Sequence, residues 1–226
     1  MPKLTSTYHS KIYRGFKEIE PQEHLQLVRY YETHENQIKQ LDFSEFFEVL
    51  ITYTEALFEV GAYQNHTSMV DVAIEISIEN NIKIFNKKDI YYELLFKKAA
   101  SCFNLMRYNE AEHILRELIK INPQNEFSIR FLNKCLLQKK PKFIRNGRAI
   151  SILLFLLAAL IIVIEIIFIR PLFEMHTASV EMARNITFSC GLFILVSGEI
   201  VHHIKVKKQI ESFVYHARKK KGLKLN

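Results

Sequence analysis

The sequence AISILLFLLAALIIVIEIIFI, residues 149–169, decides the architecture of this chain. Glu165 is the only ionisable side chain among its 21 residues. As an α-helix rising 1.5 Å per residue, the stretch spans about 31 Å, which matches the hydrocarbon core of a bilayer. It begins two-thirds of the way along the chain, whereas a removable signal peptide lies at the N-terminus. The stretch therefore predicts a membrane anchor behind a soluble domain.

A second apolar stretch, residues 186–204, follows after a short gap and carries one carboxylate, Glu199. As a helix its 19 residues span about 28 Å, just enough to cross a bilayer. Taken only to Val201, it is short enough to lie at the membrane surface instead. Its small residues favour close helix packing inside a membrane. We therefore predict a hairpin of transmembrane helix 1 at 149–169, an external loop at 170–185 and transmembrane helix 2 at 186–204.

Lysine and arginine residues cluster on both outer flanks of this hairpin and are sparse in its loop. By the positive-inside rule, both chain termini then face the cytoplasm and the loop lies outside. Residues 139–148 form a basic juxtamembrane linker, and residues 205–226 form a basic cytoplasmic tail. Such cations attract anionic lipid headgroups, with on the order of 1 kcal/mol for each side chain. The candidate lipid-facing cations are Lys139, Lys140, Lys142, Arg145, Arg148, Lys205, Lys207 and Lys208.

The net charge of +7 and the pI near 9.2 come from these membrane flanks. Residues 1–138 carry 19 acidic and 16 basic side chains, so the soluble part is slightly acidic. Nucleic-acid binding requires a basic surface on the folded domain, and we expect no nucleic-acid partner. The abundance of Ile, Lys and Asn is typical of AT-rich bacterial genomes, which favours the inner membrane of a bacterium.

The part of the chain ahead of the linker reads as a polar segment, 1–20, followed by a helical domain, 21–138. Apolar residues recur there at helical spacing, and the alternation that marks strands is largely absent. Asp42, followed three residues later by Glu45, predicts a capping box at a helix start. The first three predicted helices cover residues 21–39, 42–61 and 66–80. The expected fold class is all-α.

The strongest local pattern is DIYYELLFKKAASCFNLMRYNEAEHILRELIKINPQN, residues 89–125. Small residues here let two helices approach, and bulky residues fill the seam between them. The turn MRYNEA is close to the G-R-Y-D-E-A turn of a tetratricopeptide repeat, and the stretch resembles that 34-residue helix pair. The residues that match the core of the repeat are Leu95, Ala99, Phe103, Tyr108, Ala111, Leu115, Leu118 and Pro123.

A fainter copy of the pattern precedes this one, with Gly61 and Tyr63 at the turn and Ala73 on its second helix. An insertion at residues 80–88 accounts for the wider spacing of the two copies. His66 stands where the family has a small alanine. The resemblance implies a tetratricopeptide-like domain that binds peptides or partner proteins on its concave face. A repeat needs stacked neighbours to bury its apolar surface, so we expect about three helix pairs.

Glu165 and Glu199 are the carboxylates within the predicted spans. A carboxylate inside a bilayer costs about 2.5 kcal/mol or more and is by default a candidate functional group. Each lies near the C-terminal end of its span, so in an antiparallel hairpin the two cannot pair with each other. One interpretation places Glu165 beside Arg170 at the outer interface, and Glu199 beside Lys205 and its neighbouring histidines. The other is that each lines a polar pore or pairs with a cation of a partner subunit.

His203 lies four residues after Glu199 on the same helix face, a spacing that could indicate a metal or proton site. Further ligands at suitable spacing are missing from the sequence, so a boundary histidine is the simpler interpretation. The dispersed cysteines, Cys102, Cys135 and Cys190, form no metal-binding pair. The sequence contains no glycine-rich phosphate loop or nucleophile elbow. We expect no enzymatic activity, no cofactor and no metal.

Two functions remain after these exclusions. The first is a membrane-anchored adaptor or scaffold, in which the tetratricopeptide-like domain binds other proteins at the cytoplasmic face. The alternative is an oligomeric membrane effector or channel component, whose hairpin forms a pore or permeabilises the bilayer. The expected partners are therefore other proteins, anionic lipid headgroups and, for the alternative, further copies of this chain.

Overall fold

The structure, a computed structural model, describes residues 10–169 and 177–222. The chain is 82% helical, which confirms the all-α class. In the described residues, nine α-helices are joined by one π-helical turn and one two-stranded β-hairpin. The chain divides into two compact units, Met1–Ser128 and Ile129–Asn226, which we call the helical unit and the hairpin unit. The boundary between them falls within a helix.

The helical unit is a succession of helices in which α1 to α5 each pack on the next one along the chain. Consecutive packing of this kind buries an apolar stripe on both sides of each inner helix. The elements from its start to the unit boundary are α1 (Lys11–Lys17), α2 (His24–Ile38), α3 (Phe43–Glu59), α4 (Tyr63–Glu79), β1 (Ile84–Phe85), β2 (Lys88–Asp89), α5 (Ile90–Asn104), α6 (Tyr108–Ile121) and α7 (Glu126–Gln138).

Helix α1 corrects the expectation that residues 1–20 form only a polar segment. The Ser10 side chain caps it by accepting a hydrogen bond from the backbone N–H of Ile12 at 3.2 Å. Tyr13 and Phe16, three residues apart, lie on one face of the helix and are 8% and 2% exposed. Both pack into the core formed by α2 and α3, where the rings of Tyr31 and Tyr53 stack 3.8 Å apart. The polar residues around these two aromatics concealed the helix in the sequence.

Helix α3 begins where it was predicted, but the Asp42 side chain does not take part in a capping box. Asp42 occupies the N-cap position and makes no capping hydrogen bond with its side chain. Glu45, the other member of the predicted box, is buried, with 8% of the residue exposed. The predicted pair of reciprocal bonds is therefore incomplete.

The insertion between α4 and α5 folds as a short antiparallel β-hairpin, in which Ile84 pairs with Asp89 and Phe85 with Lys88. Asn86 and Lys87 form its two-residue turn with φ angles of 49° and 65°. Two positive φ values are the signature of a type I′ turn, which matches the twist of a β-hairpin. The Phe85 ring packs edge-on against Phe47 of α3 with centroids 5.4 Å apart. The insertion is therefore attached to the core of the helical unit.

The hairpin unit contains two helices that are long and apolar enough to cross a membrane. Helix α8 covers Lys142–Ile164, and the π-helical turn Glu165–Ile169 continues it. Helix α9 covers Thr177–Lys220. Helix α8 thus begins inside the predicted linker, and α9 pairs with it in the unit.

Helix α9 is much longer than the predicted second span. It includes residues 177–185, which we assigned to the external loop, and it continues through most of the predicted tail. The remaining loop residues, 170–176, lie outside the described residues. Its 44 residues correspond to about 66 Å, twice the thickness of a hydrocarbon core. The hydropathy of the sequence predicted only the apolar part of α9, residues 186–204. The polar parts of a helix give no hydropathy signal, because a helix in contact with water needs no continuous apolar stretch.

Candidate functional site

The two carboxylates of the predicted spans each pair with an arginine of the opposite helix. Glu165, at the start of the π-helical turn, accepts a hydrogen bond from Arg184 of α9, with Nη1 and Oε2 2.7 Å apart. The Glu165 side chain is 1% exposed, and that of Arg184 is 25% exposed. The charge of the buried carboxylate is therefore neutralised within the hairpin.

Glu199 of α9 forms the corresponding ion pair with Arg148 of α8. The ammonium group of Lys140 lies 4.0 Å from the same carboxylate oxygen. Glu199 is more accessible than Glu165, since 32% of its side chain is exposed. Two cations from the start of α8 and the residues before it therefore face this carboxylate.

The two ion pairs are reciprocal: each helix supplies one carboxylate and one arginine. The structure thus corrects the expectation that Glu199 lies against Lys205, since its partners are Arg148 and Lys140. The expected position of Glu165 beside Arg170 lies outside the described residues. Pairing across the hairpin fixes the alignment of α8 and α9 at both ends.

The sequence contains a signal that predicts Arg148 and Arg184 as the partners of the two carboxylates, but it appears only when pairs of residues are compared. The midpoint of Arg148 and Glu199 and the midpoint of Glu165 and Arg184 both fall close to residue 174. Residues that pair across an antiparallel hairpin share a common midpoint. Two opposite-charge pairs with the same midpoint therefore predict one alignment of the two helices.

Close packing between the ion pairs depends on Gly191 of α9. A Cβ atom at this position would lie 3.0 Å from Cε1 of Phe155 and 3.3 Å from Cβ of Leu154, both on α8. The rings of Phe155 and Phe188 pack beside it with centroids 5.4 Å apart. A larger residue at position 191 would therefore push the helices apart.

The adjacent histidines of α9, His202 and His203, lie in different environments. His203 is exposed, whereas His202 is buried and its Nε2 lies 3.4 Å from the backbone oxygen of Leu137. Across residues 10–169 and 177–222, no three His, Cys, Asp or Glu side chains converge as a metal site would require. All eight candidate lipid-facing cations are exposed: Lys139, Lys140, Lys142, Arg145, Arg148, Lys205, Lys207 and Lys208.

In the helical unit, the residues that match the tetratricopeptide core lie along α5 and α6, which pack together, except Pro123, which follows α6. Ala99, Ala111, Leu115, Leu118 and Pro123 are buried, and Leu95, Phe103 and Tyr108 are partly exposed. The rings of Phe103 and Tyr108 meet edge-on with centroids 5.4 Å apart across the turn. The two small alanines, Ala99 and Ala111, are therefore enclosed where this helix pair packs.

A groove of about 250 Å³ opens in the helical unit between α1, α2, α3 and the turn of the β-hairpin. Its lining combines apolar side chains with the carboxylates of Glu48 and Glu55, which lie two turns apart on α3. Glu48 accepts hydrogen bonds from Tyr13 at 2.6 Å and from Lys17 at 2.7 Å. Glu55 accepts one from Lys97 of α5 at 2.8 Å. The groove therefore contains two carboxylates, each of which is paired with a lysine.

The titration of Tyr13 reflects this environment. Burial, together with the hydrogen bond to Glu48 and the negative charges of Glu48 and Glu45, raises the pKa of Tyr13 to about 12. The phenol therefore stays neutral and keeps donating its proton to Glu48.

A buried polar pair joins α4 to α5. His66 Nδ1 and Ser101 Oγ lie 2.8 Å apart, and both residues are fully buried. Burial, reinforced by the charge of Lys97 and opposed by Asp71, lowers the pKa of His66 to about 4. His66 is therefore neutral at pH 7. The sequence marked this histidine as unusual for the repeat, but Ser101, its partner 35 residues away, gave no signal.

The comparisons with known proteins add no homologue: no family model, no curated protein and no solved structure matches the chain. The function is therefore argued from the helical unit and the hairpin themselves.

Proposed function

We propose that this protein is a membrane-anchored adaptor, whose hairpin spans the bilayer and whose helical unit binds a partner protein. The groove of the helical unit carries the proposal. It offers apolar surface and two carboxylates, Glu48 and Glu55, in a recess that an extended peptide can enter. The resemblance of residues 89–125 to a tetratricopeptide repeat supports the same class of function.

Membrane insertion is supported by the large apolar side chains that the hairpin leaves exposed. Leu153, Leu156 and Phe193 are 65%, 67% and 74% exposed. A contiguous apolar surface of this kind is unfavourable in water and favourable in lipid. Pairing of both intramembrane carboxylates with arginines makes their transfer into the bilayer less costly.

The distribution of cations supports an orientation with both termini in the cytoplasm. The abundance of Ile, Lys and Asn favours the inner membrane of a bacterium as the location. The helical unit would then meet cytoplasmic partners. The carboxylates of its groove favour a segment that carries lysine or arginine, because such a side chain can replace Lys17 or Lys97 as their counter-ion.

The experiment that tests the proposal is native mass spectrometry of the complex, extracted gently from its native membrane. We expect a second protein in fixed ratio with wild type, and we expect Thr52→Phe to remove it. Thr52 lines the groove, so the larger side chain fills the space in which the peptide would lie. The matched control is Ser68→Phe, which adds the same ring at an exposed position on α4.

Three results would contradict the adaptor function or its groove. Wild type that carries no partner contradicts the adaptor function, and a partner retained by Thr52→Phe excludes the groove as its site. Ala111→Arg places a charge at a fully buried position, so it should unfold the helical unit and release the partner. A partner that still binds this variant at normal affinity does not bind through the helical unit.

The alternative, an oligomeric channel component, is favoured by a different observation. Asn185, Ser189 and Cys190 are exposed on one face of α9, along a recess of about 810 Å³. Polar side chains on a lipid-facing helix are the groups that line a pore or join helices of further copies. Dye release from vesicles that contain the purified protein tests it, with Asn185→Leu expected to reduce release and Ile186→Leu as the control. Folded protein that releases no dye contradicts it.

A further inference from the structure

A second recess of the hairpin unit lies between α8 and α9, near the ion pair of Glu199 with Arg148. Its volume is about 230 Å³, and we call it the interhelix groove. The residues that line it include Phe143, Gly147, Arg148, Ile194, Gly198 and Val201. Apart from Arg148 and the small Ser197, its lining side chains are apolar or absent.

The groove exists because two glycines face it. A Cβ atom at Gly198 would meet no other atom within 4 Å, and one at Gly147 would only touch Ile194 at 3.8 Å. Gly191, seven residues earlier on α9, is different, since a Cβ there would collide with Phe155. One glycine of α9 therefore lets the two helices touch, and the other leaves space between them.

Two cations lie at this groove. Arg148 lines the groove and forms an ion pair with Glu199. The Lys205 ammonium lies 5.0 Å from the centre of the Phe143 ring, which is itself part of the lining. A cation over an aromatic face is held there by the ring quadrupole. In the described part of the chain, no carboxylate lies within ion-pair distance of Lys205.

We infer that the interhelix groove binds an anionic phospholipid, with part of one acyl chain between Gly147 and Gly198 and the phosphate at Lys205. The inference rests on the proposed insertion of the hairpin in a membrane. Space beside two helices in a bilayer is filled by lipid, and apolar walls favour an acyl chain. The cation at the groove adds an attraction for a negatively charged headgroup that a zwitterionic lipid lacks.

The test is lipid retention by the full chain, reconstituted in vesicles of equal parts phosphatidylglycerol and phosphatidylcholine. After gentle extraction into detergent, native mass spectrometry counts the lipids that remain bound. Wild type should retain phosphatidylglycerol at least five-fold over phosphatidylcholine. Equal retention of the two lipids would overturn the inference.

Two variants locate the site. Gly198→Leu fills the groove and should reduce retained phosphatidylglycerol to the level of phosphatidylcholine. Lys205→Gln leaves the groove open and removes the charge, so it should abolish the preference while an acyl chain still binds. The control, Lys219→Gln, removes the same charge from the same helix about 21 Å further along.

Retention that is unchanged in Gly198→Leu, or reduced equally by Lys219→Gln and Lys205→Gln, would show nonspecific attraction and overturn the site. Circular dichroism of each variant verifies that it is folded. Excess inorganic phosphate distinguishes the two sources of the anion. A site for free phosphate would bind the added phosphate and release phosphatidylglycerol, whereas a site that also holds an acyl chain retains the lipid. Extraction of wild type by alkaline carbonate would refute membrane insertion itself, which separates failure of the anchor from failure of the lipid site.

Discussion

Exposed ion pairs of the helical unit and the buried ion pair of the hairpin unit hold charge in opposite environments. Two ion pairs of the helical unit, Lys39 with Glu35 and Lys120 with Glu117, lie on its surface with both side chains at least 42% exposed. Pairs of this kind contribute little, typically about 0.2–1 kcal/mol. In the hairpin, Glu165 is almost fully buried against Arg184. An ion pair thus adds little stability where water can solvate its charges, and it is needed where the charges are buried.

The helical unit has its own buried polar contact, between His66 and Ser101, and neither side chain of this contact is charged at pH 7. His66 meets Ser101 inside the core as a neutral imidazole, because burial lowers its pKa. His66 therefore avoids a buried charge by releasing a proton, whereas the charge of Glu165 is neutralised by the charge of Arg184. Removing one partner should have different consequences in the two units, and the following variants measure that difference.

The largest effect is expected for Arg184→Leu, which removes the Arg184 guanidinium from the buried Glu165 carboxylate. Breaking a buried ion pair by removing one partner typically destabilises by about 3–5 kcal/mol. The fraction of folded hairpin, measured in mixed micelles of increasing SDS content, should fall accordingly. The double variant Glu165→Leu with Arg184→Leu should recover most of the loss. The control Lys120→Leu breaks an exposed pair of the helical unit, and its loss of stability is measured from the unfolding of that unit. A loss in Arg184→Leu as small as the loss in this control would disprove the contrast between the units.

The next effect is expected in the apolar core of the helical unit. Leu115→Ala removes a fully buried side chain from α6 and leaves a cavity, which destabilises by about 2–5 kcal/mol. Met106 is 75% exposed in the same helix pair, so Met106→Ala should change stability by less than about 0.5 kcal/mol. Thermal unfolding followed by circular dichroism checks both. Similar melting temperatures for the two variants would mean that α5 and α6 do not enclose Leu115.

The pH dependence of stability follows from His66. Its pKa is about 4 when folded, and the ordinary value of an unfolded histidine is about 6.5. The unfolded chain therefore binds more protons between these values, so the contribution to stability is complete above about pH 6.5 and is lost as the pH falls toward 4. The loss is on the order of 2–3 kcal/mol.

His66→Asn supplies the matched control, because the amide reaches Ser101 and does not titrate in this range. Denaturant unfolding of both proteins from pH 7 to pH 4 isolates the histidine from the carboxylates that titrate at lower pH. The difference in unfolding free energy between wild type and variant should shrink as the medium is acidified. A constant difference would show that His66 has an unperturbed pKa.

The smallest effect compares the two glycines of α9. Gly191→Leu inserts a side chain where Phe155 already lies, and such overpacking typically costs about 1–3 kcal/mol. Gly198→Leu enters open space and should cost less than about 0.5 kcal/mol. Titration with SDS again reports hairpin stability. If both variants lose the same amount, the helices pack equally closely at both positions.

The sequence predicted the parts of the fold that long patterns determine. Two apolar stretches predicted two helices long and apolar enough to cross a membrane, and their existence is confirmed. Helical spacing likewise predicted the all-α class. The tetratricopeptide-like arrangement and the cytoplasmic location of the helical unit stay predictions.

What escaped prediction depended on short or distant signals. Helix α1 relies on two aromatics in a polar context, and the β-hairpin has strands of only two residues each, too short for alternation to show. The partners of Glu165 and His66 were not predicted either. Glu165 was identified from its position in an apolar stretch, but Arg184 became meaningful only once the helices were aligned. Ser101 could not be linked to His66 without the packing of α4 on α5.

The length of α9 has a mechanical consequence. No proline interrupts its 44 residues, and its single run of backbone hydrogen bonds makes it a rod about 66 Å long. A tilt of about 10° at the end that holds Arg184 would swing the opposite end, near Lys220, by about 11 Å. A small rearrangement beside Glu165 would therefore become a large displacement of the basic C-terminal end, provided that α9 moves as one body.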